Sequence, residues 1–196
     1  MTTRKRIGVL AMQGGFAEHI VILRKLGVEA EAIRDPSQLR NLDGLIIPGG
    51  ESTAIGRLMA CYGLVQPLKE MAREGFPLFG TCAGMILLAK QVIGASVDGI
   101  GAMDIKVKRN AFGRQVDSFE SLVPVTVLGE PPFPAVFIRA PIILEAGAEV
   151  QVLARLESGT AVAARQGNLL VSAFHPELTS DLRFHAYFLK IVSREV

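Results

Sequence analysis

The sequence predicts an α/β fold: a three-layer sandwich in which helices flank a mostly parallel central sheet, with a small β-rich antiparallel extension in the second half. Three observations carry that expectation. In the first half, short apolar runs alternate with stretches of helical periodicity, the signature of β-α units around a sheet buried on both faces. From Ile105 onward the pattern changes to short β-rich runs separated by glycine and proline. The 196 residues, without an internal repeat or an obvious linker, suit one domain spanning 1–196 with a sizeable core.

The elements follow in order. Ile7-Gly8-Val9-Leu10-Ala11-Met12 is an apolar run that stops at Gln13-Gly14-Gly15, as a buried strand would. Phe16, Ile20, Leu23 and Leu26 then recur at helical spacing up to Gly27, a residue suited to a helix C-terminus. Val28 to Ile33 reads as a second strand, and Asp35-Pro36 as the start of a short helical turn. Leu45-Ile46-Ile47 is a third strand, broken by Pro48-Gly49-Gly50. Ser52 or Thr53 is suited to cap the next helix, through Ile55, Leu58 and Met59, in which Cys61 reads as a packed position. Pro67 to Arg73 is a further helical segment.

Phe76-Pro77-Leu78-Phe79 then gives a short strand and Met85 to Lys90 a helix. Beyond it the β-rich runs are Ile105–Val107, Val123–Val127, Val136–Ile138, Val150–Leu156, Ala161–Ala164 and Leu169–Ala173. Thr179-Ser180-Asp181 opens a closing helix that packs through Leu182, Phe184, Phe188 and Ile191.

Composition excludes several classes of function. A formal charge of +2 is too small to argue for nucleic acid, and Arg4-Lys5-Arg6 reads as a solvated lead-in to the first strand. No apolar stretch approaches the length that spans a bilayer, and no signal-peptide pattern precedes Ile7. Two cysteines make no disulfide framework, so the expected setting is a reducing cytoplasm. With three histidines, and no Cys or His pair at ligand spacing, no metal site is expected.

Three stretches carry chemistry. Gly80-Thr81-Cys82-Ala83-Gly84 lifts a cysteine onto a sharp strand-to-helix turn, the thiol counterpart of the Gly-x-Ser-x-Gly nucleophile elbow. There a helix N-terminus favours the thiolate. Read alone, the same stretch also fits a small buried hydrophobe at a strand end.

His175, in Phe174-His175-Pro176-Glu177, follows an apolar strand. Pro176 pushes it into extended chain, where residues two apart share a side, so Glu177 can orient its ring. His19 and His185 fall inside helical patterns and read as structural or surface residues.

The third stretch, Pro48-Gly49-Gly50-Glu51-Ser52, lies at the carboxyl end of a strand, where open α/β sheets place ligands. Its glycines can turn an N–H toward an oxyanion, although the local sequence by itself fits a plain strand-to-helix turn with Ser52 as N-cap better.

Together these stretches resemble the class I, or triad, glutamine amidotransferases. Within them the chain is similar to the glutaminase subunits of two-component pyridoxal 5′-phosphate synthases. Gly8 to Gly14, Pro48 to Thr53, Gly80 to Met85, Arg109 to Gln115, Phe137 to Pro141 and Phe174 to Thr179 carry that likeness nearly end to end. The resemblance implies that Cys82 attacks the side-chain amide carbon of L-glutamine, with His175 as base and acid and Glu177 as its orienter. It implies an oxyanion hole from the backbone N–H groups of Ala83 and Gly50. The glutamine site would be lined by Gly49, Gly50, Glu51, Ser52, Arg109, Ile138 and Arg139, either arginine suiting the α-carboxylate.

No cofactor is implied. The implied partner is a (β/α)8-barrel synthase subunit in a large hetero-oligomer, receiving ammonia from a glutaminase that docking activates. Gln13 and the Gly49-Gly50 loop are the candidates for that coupling. A glutaminase for another synthase, a related cysteine peptidase, or a non-catalytic assembly module of the same fold are the alternatives.

Overall fold

The computed structural model describes residues 4–94, 96–111 and 118–196. The chain opens with β1 (Arg6–Leu10), α1 (Phe16–Lys25), β2 (Glu29–Ile33), a 3-10 turn at Pro36–Leu39 and β3 (Gly44–Ile47). It continues through α2 (Ser52–Cys61), α3 (Val65–Arg73), β4 (Leu78–Thr81), α4 (Ala83–Leu88), β5 (Ala89–Ile93) and β6 (Met103–Lys108). Then come β7 (Ser118–Val123), β8 (Phe133–Ile138), β9 (Ile142–Ala146), β10 (Gln151–Arg155), β11 (Ala161–Gln166), β12 (Leu169–Ser172) and α5 (Arg183–Ser193).

Among the described residues the main sheet has ten strands, in the order β2-β1-β3-β4-β12-β11-β9-β6-β5 with β10 beside β11. The first five are parallel. Antiparallel pairing begins at β12·β11 and continues through β11·β9 and β9·β6. A separate antiparallel pair, β7·β8, forms the small second sheet.

Side-chain alternation along β4 divides the helices between two faces. Phe79 points to α5, its ring 5.6 Å from both Phe184 and Phe188, while Gly80 points the other way, toward Gly84 and Leu88 of α4. Thr81 returns to the α1 side, against His19. The sheet is therefore the middle of three layers, and each fully buried phenylalanine contributes about 2–3 kcal/mol of apolar burial. Among the described residues no helix is long and apolar enough to cross a membrane.

Several sequence expectations are corrected. The helix expected to run to Lys90 ends at Leu88, because Ala89–Ile93 pairs in parallel with β6 as a strand. The N-cap of α2 is Glu51, whose carboxylate accepts from Thr53 N at 3.0 Å and Ala54 N at 2.7 Å; Ser52 is the first helical residue and is buried. Cys61 is exposed rather than packed. The run expected at Val123–Val127 divides into the end of β7 and a 3-10 turn, Thr126–Leu128. Strand β9 was not anticipated at all. The closing helix starts at Arg183, four residues after Thr179.

Candidate active site

Cys82 stands between β4 and α4 with φ 48° and ψ −99°, a left-handed conformation that costs a non-glycine residue about 1–3 kcal/mol. Glycines make the turn possible. A Cβ on Gly80 would press on the Gly84 carbonyl group, and one on Gly84 would overlap the Ile47 carbonyl of β3. Bare backbone at both positions lets α4 start directly against the sheet, leaving Ala83 as its first residue. The N–H groups of that first turn have no intrahelical partner.

His175 reaches the cysteine through strand register. β4 and β12 are parallel neighbours with Thr81 opposite Ser172, and Cys82 N donates to Ser172 O at 2.8 Å. Both strands therefore release their chains at the same edge. His175, three residues past Ser172, is fixed there by its N–H to Val136 O at 2.8 Å. Beyond it Pro176–Leu178 is a 3-10 turn rather than the extended chain expected from proline. The tight turn still brings Glu177 Oε1 within 2.7 Å of His175 Nδ1, with the Glu177 side chain 1% exposed. Gly49 backs onto the same imidazole, where any Cβ would clash with the ring.

Burial alone would lower the His175 pKa, but hydrogen bonds and charge from Cys82 and Glu177 outweigh it and raise it to about 10. The imidazolium is thus the favoured form at neutral pH. Cys82 Sγ also lies 3.9 Å from the Ile138 carbonyl oxygen.

A cavity of about 380 Å³ opens in front of Cys82, within the range of small-molecule sites. Gly50, Glu51, Ser52, Arg109, Ile138, Arg139 and His175 all line it, as do Ile86 and Asn110, which the sequence did not single out. Gly49 touches the histidine instead, and Ala83 is buried behind the cysteine. Phe112 to Gln115, the rest of the Arg109 stretch, lie outside the described residues.

Arg109 bridges to Glu51 Oε1 at 2.9 Å and to Thr53 Oγ1 at 3.0 Å. Hydrogen bonds from Thr53 and Ala54 N–H, with the Arg109 charge, overcome desolvation and keep the Glu51 pKa low. Gln13 Oε1 accepts from Glu51 N at 2.9 Å, and the Gly49 carbonyl accepts from Gly15 N at 3.3 Å. In a trans peptide the Gly50 N–H then points away from Gly15.

A larger cavity, about 450 Å³, lies around Lys5, Asp43, Pro77 and Asn168, at the amino ends of β1, β3, β4 and β12. Size favours it, but Cys82, His175 and the carboxyl ends of the parallel strands are all at the opposite edge. Among the described residues no group of three or more His, Cys, Asp or Glu could hold a metal ion. His19 and His185, expected to be structural or on the surface, are both fully buried.

A cysteine on a strand-to-helix elbow, facing an imidazole held by a carboxylate, is the arrangement of a thiol-nucleophile hydrolase on an α/β sheet. Residues 9–194 match the SNO glutamine amidotransferase family, and the chain belongs to that family. It is 58% identical to the pyridoxal 5′-phosphate synthase subunit PdxT of Carboxydothermus hydrogenoformans, over 96% of this chain and 98% of that protein. It is 57% identical to the PdxT subunit of Moorella thermoacetica, over 95% and 99%. A solved structure described as a glutamine amidotransferase superposes with TM-score 0.91 at 49% identity, covering 95% of this chain and 98% of that one.

Proposed function

We propose that this protein hydrolyses L-glutamine to L-glutamate and ammonia through a thioester on Cys82, and supplies the ammonia to the synthase subunit of a pyridoxal 5′-phosphate synthase. The observation that carries the reading is the 2.7 Å contact of Glu177 with His175 beside a cysteine that opens into a cavity lined by Glu51, Arg109 and Arg139. Cys82 Sγ attacks the amide carbon. His175, protonated, gives its proton to the departing ammonia, then takes one from the water that cleaves the thioester. The N–H groups of Ala83 and Gly50 receive the oxyanion of each tetrahedral intermediate. The Arg109–Glu51 pair matches a zwitterionic amino acid, guanidinium to α-carboxylate and carboxylate to α-ammonium.

Residues 1–196 act in this reading as one glutaminase domain in the cytoplasm, where a thiol stays reduced. It docks, as one of many copies, on a (β/α)8-barrel synthase in a large hetero-oligomer. Contact near Gln13 and the Gly49-Gly50 loop adjusts the oxyanion hole and raises turnover.

Glutamate and ammonia release, measured with and without the synthase subunit, tests this. Turnover rises with the partner, a reactive glutamine analogue labels Cys82, and Cys82→Ala loses about 10⁴-fold or more while staying folded. Persistent turnover in Cys82→Ala, or no labelling of folded protein, would sink the assignment.

A further inference from the structure

The carboxylate of Glu177 lies between two imidazoles. On one side Oε1 meets His175 Nδ1. On the other, Oε2 faces His19 Nε2 of α1 at 3.3 Å, close but imperfectly aligned, and has no better partner among the described side chains. His19 Nε2 is also 3.4 Å from Thr81 Oγ1. Its other ring nitrogen, Nδ1, lies 2.8 Å from Nε2 of His185 on α5. Both rings are fully buried.

The contacts favour one arrangement of protons, because the reverse tautomers would bury an unpartnered N–H at His185 Nδ1. A carboxylate only accepts, so a hydrogen on His19 Nε2, shared between Glu177 Oε2 and Thr81 Oγ1, suits both neighbours. Burial, then the neighbouring His185 and His175, hold the His19 pKa well below 6.5, so the ring is neutral and Nδ1 is a bare lone pair. That lone pair needs a donor, which is His185 Nε2–H. His185 is itself kept neutral by burial, its pKa lowered to about 4. The atom left without a partner, His185 Nδ1, is an acceptor and not a stranded N–H.

We propose that His19 is a positioning residue for glutamine hydrolysis, pinning Glu177 Oε2 so that Oε1 stays on His175, with His185 fixing the tautomer that lets it do so. The proposal rests on the reading of Cys82, His175 and Glu177 as the catalytic set. The terminal torsion of a glutamate is broad and roughly two-fold. A buried carboxylate held by a single partner would rotate, or take up a proton, and in either case would stop stabilising the imidazolium. If His185 did not donate, the His19 proton could move to Nδ1, turning a lone pair toward the Glu177 charge.

The test uses two substitutions of similar polarity that replace different ring nitrogens. His19→Gln puts an amide N–H near the place of Nε2; His19→Asn keeps a group near Nδ1 and leaves Glu177 without its donor. With the synthase subunit present, His19→Asn is expected to lower kcat by about 10- to 100-fold, at nearly constant KM for glutamine, the usual scale for a group behind the reacting set. His19→Gln should recover to within a few-fold of wild type. In histidine-labelled protein the His175 ring, which faces Cys82 and Glu177, should titrate at lower pH in His19→Asn than in wild type or His19→Gln.

Equal impairment of the two variants, or an unmoved His175 titration in folded His19→Asn, overturns the proposal. The titration needs no turnover. An inactive wild type would therefore remove the glutaminase reading while the His175 midpoint still decides whether His19 holds Glu177.

Discussion

The five parallel strands β2-β1-β3-β4-β12 and the mainly antiparallel strands of the second half, which include the small separate sheet β7·β8, contribute to the cavity in different ways. In the parallel half, position follows from register. Thr81 opposite Ser172 releases Cys82 and His175 at one edge, and two residues later Glu177 is buried beneath them. In the antiparallel half, position follows from exceptions to regular structure. β6 pairs with β9 through a register shift at Lys106/Val107, and the cavity residues that follow β6 and β8 include Asn110 (φ 45°) and Arg139 (φ 44°). Cys82, His175 and Glu177 thus stand on a framework that cannot slide, whereas the opposite wall is made of strand ends and loops, where binding groups are commonly carried. Substitutions in the first half should act on stability and kcat, and those in the second on KM.

The largest expected effect on stability is at the elbow. Gly84→Ala places a methyl group on the Ile47 backbone carbonyl, which is part of a central strand and cannot turn aside like a side chain. Destabilisation of about 4 kcal/mol, at the upper end for a point change, is expected in urea unfolding, with loss of turnover. A change below about 1 kcal/mol would mean that the close approach of α4 to β3 does not hold the elbow.

Next in size is acid sensitivity from the buried histidines of the parallel half. The pKa of His185 is lowered to about 4, and that of His19 is also lowered, so between pH 6.5 and 4 the unfolded chain binds more protons than the folded one. Stability is full above 6.5 and falls as pH drops through this window, by about 3 kcal/mol for His185 alone. His175, with its pKa raised to about 10, acts in the opposite sense and elsewhere: its contribution is full below 6.5 and is lost as pH rises toward 10. Unfolding free energies at pH 6.5 and 4.5 should differ less in His185→Gln than in wild type. Equal slopes would show that His185 titrates normally.

The same division explains what could be read without a structure. β1, β3 and β12 are largely apolar runs followed soon after by glycine or proline, and Gly-x-Cys-x-Gly marks the elbow, so the parallel half and its cysteine turn were legible. The antiparallel half was not. β5 follows α4 without a break and continues a string of helix formers, and only pairing with β6 makes it a strand. Ser118–Val123 alternates between more exposed and more buried positions without a strong apolar signal. Glu51 was legible as a cavity residue but not as a helix cap, because Ser52 and Thr53 are the better local candidates. For His19 and His185 the legible signal is the helical face. His19 is three residues from Phe16 and His185 three from Phe188, spacings that place both rings toward the core.

The smallest effect is at Arg109, and it bears most directly on the division between the halves. Its guanidinium reaches from the end of β6 to Glu51 and Thr53, across the cavity. The Arg109 side chain is 20% exposed and that of Glu51 49%, so the pair adds less than about 1 kcal/mol to stability. Its removal leaves the α2 cap in place, since Glu51 keeps its contacts with Thr53 N and Ala54 N. On the proposed function, what Arg109→Ala loses is a cation suited to the α-carboxylate of glutamine, needed equally before and during the reaction. Loss of such uniform binding raises KM and spares kcat. A rise in KM of about 10-fold, near 1.4 kcal/mol, is expected, with kcat within about three-fold of wild type and unchanged unfolding. A kcat loss as large as the KM rise would show that the β6 edge helps to align the amide against Cys82, and the two halves would then share the work of the chemical step.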